Sequence, residues 1–348
     1  MEHSSLNTNP LHFVVEANIP YIRGVLEPYG TVSYLAAGAI DRAAVANADA
    51  VIVRTRTRCN EALLSGSRLQ LVATATIGTD HIDLPWCAAN GIEVVNAPGC
   101  NAPAVAQYVM ASLATLANRP LNQYVLGIVG VGHVGKIVER WARKLDMQVL
   151  VCDPPRQRAE GGNGWSTLAE IAAKCDAITF HTPLNRDGDD RTFHIVDAGF
   201  FSSLRRAPIV VNAARGPIVD TPALVEALKD GTVSHAVIDT WEKESDIDAA
   251  LLALADIATP HIAGYSAEGK MRATRMVLDA VSRKFGLPQL AMPGEHPLPV
   301  ADEVTVPGVL ASYNPLADTT ALRANPAAFE ALRNNYPLRH EPRQARND

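Results

Sequence analysis

The sequence predicts an α/β protein made of two doubly wound parallel-sheet domains with a short C-terminal extension. Three observations carry that expectation. Strand-like and helix-like segments alternate in two successive series, the pattern of parallel sheets covered by helices on both faces. A glycine-rich turn joins strand to helix at the head of the second series. The length, 348 residues, is enough for two or three separate cores at roughly 150 residues each.

In the first series, strands are expected at 11–15, 32–35, 50–54, 69–74 and 93–96, with helical patterns at 19–29, 41–48 and 83–90. A longer helical run at 102–118 follows, with Asn101 as its N-cap and Pro103 in its first turn. The second series places strands at 125–129, 148–152, 177–181, 209–212, 236–238 and 257–258. Its helices fall at 134–145, 168–174, 222–229 and 249–255, and another helix is expected at 267–285. Beyond Gly286, prolines 288, 293, 297, 299 and 307 indicate a linker or wrapped arm. A short helical pattern at 327–335 and a charged tail complete the sequence. The chain thus divides into a first domain of 11–101 plus 266–286, a second of 102–265, and a terminal segment of 287–348.

Composition narrows the function classes. The net charge of −6 argues against a strongly basic nucleic-acid binder. No apolar run approaches the ~20 residues of a membrane span, and the polar start, 1–10, lacks the apolar stretch of a signal peptide. Five scattered cysteines (Cys59, Cys87, Cys100, Cys152 and Cys175) form no C-x-x-C pair, so neither a disulfide framework nor a metal site is expected. A cytoplasmic protein follows as the expectation.

The first chemical signal is Gly127-Ile-Val-Gly130-Val-Gly132-His-Val-Gly135, which leaves an apolar strand and opens a helix. That is the context of a dinucleotide fingerprint: Gly130 for the tight turn, Gly132 for close approach of backbone to pyrophosphate, Gly135 for helix–strand packing. The helix N-terminus offers unpaired N–H groups to the diphosphate. Asp153 ends the next strand 18 residues beyond Gly135, placed to accept from a ribose 2′-hydroxyl and to repel a 2′-phosphate. NAD is therefore favoured over NADP, with nearby Arg156 and Arg158 weakening the preference.

Three later segments each follow a strand and so can reach the carboxyl edge of one sheet: Asn212-Ala-Ala-Arg215-Gly216, Asp239-Thr-Trp-Glu-Lys-Glu244 and Pro260-His261-Ile-Ala-Gly264-Tyr265. Oxidising an alcohol beside a carboxylate needs a cation for the carboxylate, a base for the hydroxyl proton and a group that tunes the base. Arg215 offers a bidentate fork, histidine, as at position 261, is the natural acid/base near neutral pH, and Glu244 can fix the imidazole tautomer.

In order and spacing, these motifs resemble the D-2-hydroxyacid dehydrogenase family. The resemblance implies a flavodoxin-like substrate domain and a Rossmann NAD domain, with Arg215 as substrate anchor, His261 as acid/base and Glu244 as its partner. It also implies cofactor contacts from Gly130, Gly132, His133, Val134, Gly135, Asp153, Thr182, Ala213, Ala214, Arg215, Asp239 and Gly264.

Further stretches resemble one branch of that family, which oxidises 4-phospho-D-erythronate in vitamin B6 (pyridoxal phosphate) synthesis. They include Ala73-Thr-Ala-Thr76-Ile-Gly-Thr-Asp80-His81, Cys152-Asp-Pro-Pro and His261-Ile-Ala-Gly-Tyr265-Ser-Ala-Glu-Gly-Lys270. The branch implies substrate contacts from Thr55, Thr76 and Tyr265, and a homodimer joined through a segment resembling Phe329-Glu-Ala-Leu-Arg-Asn-Asn-Tyr336. A phosphorylated 2-hydroxy acid needs a second cationic site. Arg54, Arg56 and Arg58 alternate after a strand and share one face if the chain stays extended. Arg54, beside Thr55, is the leading phosphate candidate and Arg339 a secondary one. The chain departs from the branch pattern at Glu16-Ala17-Asn18, at Gln107 where an acid is usual, and at Ser245 where a proline is usual, which would leave the Glu244 loop less rigid. A phosphoglycerate- or glycerate-type dehydrogenase, and a non-catalytic NAD-sensing protein on the same fold, are the competing readings.

Overall fold

Apolar runs such as Ala50–Val53, Leu71–Thr74, Ala177–Phe180 and Ile209–Asn212 are buried at every position, as strands covered on both faces must be. The structure, a computed structural model, describes residues 10–296 and 299–342. The polar start at 1–9, Pro297 and the tail from 343 lie outside the described residues. The chain forms two units: the described parts of Met1–Asn101 with Glu268–Leu298, and those of Ala102–Ala267 with Pro299–Asp348. Residues from 287 on therefore divide between the two.

The first unit holds β1 (Leu11–Glu16), β2 (Gly30–Leu35), β3 (Ala50–Val53), β4 (Leu71–Thr74) and β5 (Glu93–Val95), all parallel in the order β2-β1-β3-β4-β5. The second holds β6 (Val125–Val129), β7 (Gln148–Cys152), β8 (Ala177–Phe180), β9 (Ile209–Asn212), β10 (His235–Ile238) and β11 (Ile257–Ala258), parallel in the order β11-β10-β9-β8-β6-β7. Its register brings the strand ends into one row, because Val129 pairs with both Cys152 and Phe180, Phe180 with Asn212, Asn212 with Ile238, and Ile238 with Ala258. Every loop that follows leaves from the same edge, and the order reverses between β6 and β8, where such sheets bind ligands.

The helices are α1 (Arg42–Val45), α2 (Glu61–Leu64), α3 (Leu84–Ala89), α4 (Ala102–Leu116), α5 (His133–Lys144), α6 (Pro154–Glu160), α7 (Leu168–Lys174), α8 (Ala198–Ser203), α9 (Thr221–Lys229), α10 (Ala249–Leu254), α11 (Ala267–Phe285), α12 (Val306–Ser312), α13 (Pro315–Ala324) and α14 (Phe329–Asn334). The helix expected at 19–29 does not form; only a 3-10 turn at Glu27–Tyr29 is present. Its apolar spacing is met instead by turns that bury Ile19, Ile22, Val25 and Leu26, with Tyr21 and Gly24 at positive φ breaking any helix. The pattern at 41–48 shortens to α1. Sequence reading missed α2, α6, α8, α12 and α13, short helices opened by Asn, Asp or Thr caps. The proline-rich arm contributes Leu290 and Met292 to the first core and Ala301 and Val304 to the second. There the Ala301 carbonyl accepts from buried Trp141 Nε1 at 2.8 Å.

Candidate active site

The glycine loop after β6 is built by close approach. Gly130 has φ +89°, and a Cβ there would lie 2.7 Å from the His181 carbonyl carbon and 2.8 Å from the Thr182 nitrogen, so only glycine lets the turn press against the end of β8. A Cβ on Gly135 would fall 2.2 Å from the Gly130 carbonyl oxygen, which keeps α5 against the loop. At Gly132, the N-cap of α5, a Cβ would meet nothing within 4 Å. Open space thus lies where the helix presents its unpaired N–H groups, with His133 and Val134 in the first turn. Thr182 Oγ1 is buried without a hydrogen-bond partner, a polar atom awaiting a ligand.

Asp153 stands at the end of β7, where its carboxylate accepts from Val131 N at 2.8 Å and Arg156 N at 3.0 Å. It caps α6 and ties the glycine loop to β7. The neighbouring cations are committed: Arg156 pairs with Glu160 and donates to the Val131 carbonyl, and Arg158 pairs with Asp190. Neither offers an idle charge to a 2′-phosphate. The loop, the helix end, the buried hydroxyl and this acid fit a dinucleotide with an unmodified ribose.

Asn212 closes β9 and shapes the next loop. Its Nδ2 donates to the Arg215 carbonyl at 3.0 Å and its Oδ1 accepts from Ala214 N at 3.2 Å, fixing Ala213, Ala214 and Arg215 in a turn. A Cβ on Gly216 would collide with the Trp241 carbonyl at 1.9 Å. The arginine loop therefore packs against the loop that carries Glu244.

His261 lies on the loop after β11 with φ +56°, an unfavourable conformation for a side chain with a Cβ. Asp239 holds it there. Its backbone carbonyl accepts from His261 N at 2.9 Å, and its carboxylate accepts from Thr259 Oγ1 at 2.6 Å, Ile262 N at 2.8 Å and Ala263 N at 3.0 Å. The carboxylate of Asp239, a residue expected at the cofactor, is buried and also holds the histidine loop. Burial raises its pKa, with the His261 charge and these hydrogen bonds acting against it.

Glu244 Oε1 and His261 Nδ1 lie 2.6 Å apart, both side chains about a quarter exposed at 28% and 27%. Burial pushes the Glu244 carboxyl up, but the His261 hydrogen bond and the charges of His261, Arg333 and Arg215 outweigh it and hold the carboxyl below its usual value. An ionised carboxylate on Nδ1 favours the tautomer that leaves Nε2 free to take a proton.

Tyr265 packs edge-on to Tyr336 at 6.1 Å, and half-buried Gly264 lies beside it. In the first unit, Arg54 follows β3, half-buried, with its Nε unpartnered. Buried Glu16 accepts from Arg54 N at 2.8 Å and from Thr57 Oγ1 at 3.4 Å, shaping the turn that carries exposed Thr55. Residues 54–58 turn rather than extend, so Arg54, Arg56 and Arg58 do not share a face: Arg54 is half-buried and the other two are exposed. Thr76 Oγ1 lies 2.6 Å from Thr74 Oγ1 beyond β4.

Arg339, the secondary phosphate candidate, is engaged by protein groups. Its guanidinium donates to Gln107 Oε1 at 2.9 Å, Ile262 O at 3.1 Å, Ala104 O at 3.2 Å and Ala263 O, and lies over the Tyr313 ring. Gln107 completes the strap by donating to the His340 carbonyl at 2.9 Å, a bond that the usual ionised acid could not make. Sequence reasoning gave no role to Asn212, Glu16 or Gln107, because each works through backbone groups that are distant in sequence or shaped only by the fold.

A family model for the "D-isomer specific 2-hydroxyacid dehydrogenase, NAD binding domain" matches residues 104–263. The chain is 44% identical to an erythronate-4-phosphate dehydrogenase of Bacteroides thetaiotaomicron, covering 95% of this chain and 97% of that protein. A Porphyromonas gingivalis protein of the same name is 43% identical over 94% of this chain and 92% of its own length. Among solved structures, an Aquifex aeolicus D-lactate dehydrogenase complexed with NAD and lactic acid aligns with a TM-score of 0.67 at 25% identity, covering 79% of this chain and 96% of that one.

Proposed function

The chain belongs to the erythronate-4-phosphate dehydrogenase family of D-isomer specific 2-hydroxyacid dehydrogenases, and from that premise we propose that it oxidises 4-phospho-D-erythronate to (R)-3-hydroxy-2-oxo-4-phosphobutanoate. The observation that carries the reading is the 2.6 Å contact between His261 Nδ1 and Glu244 Oε1 on loops of one sheet edge that also bears Arg215. The glycine loop, the N-terminus of α5, Asp153 and Thr182 would hold NAD, which would supply the acceptor for the hydride leaving C2. Arg215 holds the substrate carboxylate through its fork. His261 Nε2 takes the hydroxyl proton, and Glu244 stabilises the imidazolium so formed. In this proposal Thr55, Thr76 and Tyr265 contact the substrate, and Arg54, with its unpartnered Nε, takes the phosphate. A pyridoxal phosphate pathway role, a homodimeric state and a cytoplasmic location belong to the same proposal. Among the described residues no helix is long and apolar enough to cross a membrane.

The test is turnover of 4-phospho-D-erythronate with NAD and a 2-oxoacid acceptor, compared with unphosphorylated erythronate. His261→Asn is expected to lower kcat by about 10²-fold or more and Glu244→Gln by a smaller factor, both with little change in NAD affinity. Full turnover in His261→Asn would remove the assigned base, and equal use of the two substrates would remove the phosphate specificity.

A further inference from the structure

Helix α14 packs against the loop that carries Glu244. Phe329 at its start is fully buried and anchors the helix in the core of the second unit. One residue on, Glu330 Oε1 accepts from Ser245 Oγ at 2.7 Å. One turn further, Arg333 Nη1 lies 3.5 Å from Glu244 Oε2. The two oxygens of Glu244 are thus divided: Oε1 meets His261 and Oε2 meets Arg333. Arg333 is itself buried, 8% exposed, and its Nε has no hydrogen-bond partner. A guanidinium taken this far from water needs a counter-charge, and Glu244 supplies it. A surface pair would be worth little; this one is shielded and adjoins the reacting group.

We propose that Arg333 is a positioning residue for the proton transfer: from the C-terminal helix it fixes the Glu244 carboxylate in the orientation in which its other oxygen receives His261 Nδ1–H. The inference rests on the assignment of His261 and Glu244 as base and partner. It gives the terminal segment a part in the chemistry of its own chain, separate from any role in association. At 3.5 Å the contact is chiefly one of charge, so a lysine that reaches the same place should serve.

The charged groups around the pair fix the sign of the pH effect. Glu244 faces His261, Arg333 and Arg215, and the charge of Asp239 also reaches His261. Lys243 and Asp246 on the same loop are exposed. The Arg333 charge helps hold the Glu244 carboxyl below its usual value. Removing that cation makes the hydrogen-bonded pair easier to protonate, so the proton-accepting form is lost at higher pH.

The experiment compares full-length wild type, Arg333→Met, Arg333→Lys and His261→Asn in oxidation of 4-phospho-D-erythronate as pH is varied. In Arg333→Met, kcat should fall with substrate KM nearly unchanged, and the acidic limb of the pH–kcat profile should move up by about one pH unit. Arg333→Lys should return the limb toward wild type. If Arg333→Met does not fold, Arg333→Gln keeps the stem and a polar end without the charge and should show the same displacement. An unmoved limb, or a displacement that lysine does not reverse, would overturn the proposal while His261→Asn remained inactive. Full turnover in His261→Asn would instead overturn the underlying assignment of the base.

Discussion

Ser245 shows how one residue settles a question that its neighbours in sequence leave open. A serine in place of proline suggests a looser Glu244 loop, yet the backbone at Ser245 has φ +75°, which a pyrrolidine ring held near −65° cannot adopt. The hydroxyl also ties the loop to Glu330. Ser245→Pro should therefore destabilise the protein by about 2 kcal/mol or more and lower kcat together with it. Thermal melting and steady-state rates check this; an unchanged melting temperature would mean that the loop has a second conformation of equal energy. His261 is strained in the same sense, and its conformation persists because Asp239 binds the loop through three donors and its own carbonyl. The motif residues themselves could be named from the sequence. Which of them touch the reacting groups, and which hold the others in place, could not.

At the level of elements, the glycine loop separates packing from ligand approach. Gly135→Ala would put a Cβ 2.2 Å from the Gly130 carbonyl oxygen and displace α5, so both stability and NAD affinity should fall. Gly132→Ala has room for the methyl group, though its ψ of −146° is one that residues with a Cβ seldom adopt. It should cost less stability than Gly135→Ala yet bind NAD at least about tenfold more weakly, because the methyl group occupies space the pyrophosphate needs. Calorimetric titration with NAD beside thermal melting measures both; a larger loss of stability in Gly132→Ala than in Gly135→Ala would contradict the separation. The strands of this sheet are legible as largely apolar runs, with buried Thr179 inside β8. The segment at 19–29 was misread because its apolar spacing mimics a helix while Pro20, Gly24 and Pro28 bend the chain into turns. Helices such as α12 and α13 lack a long periodic stripe, and their neighbours in the fold stabilise them more than their own propensity does.

Across the whole chain, a net charge of −6 must coexist with the multiply anionic substrate proposed for it. Many cations are engaged by acids, as in Arg156–Glu160, Arg158–Asp190 and Arg206–Asp176. Arg54 retains a buried Nε with no partner. Asp176 illustrates how these pairings enter stability. Burial pushes its carboxyl up, but the Val125 N–H, the Arg206 hydrogen bond and the charges of Arg206 and Arg119 outweigh this and leave it below its usual value. A carboxyl depressed in the folded state stabilises that state above its unfolded pKa of about 3.9, and the contribution disappears as pH falls through the folded value. Asp176→Asn should therefore cost about 1–3 kcal/mol at pH 7, and the deficit should shrink as pH drops below about 4. Urea denaturation at both pH values tests this; a deficit independent of pH would assign it to packing.

The sequence by itself determined the two alternating series, the glycine loop, the acid at the end of β7 and the order of Arg215, Glu244 and His261. These are local signals, carried by residue type and spacing along a strand, a turn or a helix start. Only the tertiary structure decided that Asp239 serves the histidine loop, that Arg339 is consumed in a strap, and that Arg333 faces Glu244. Those pairings join residues 20 to 235 positions apart in the chain. Their physical cause is the burial of charged groups, each of which must find a partner of opposite charge or a hydrogen bond once water is removed.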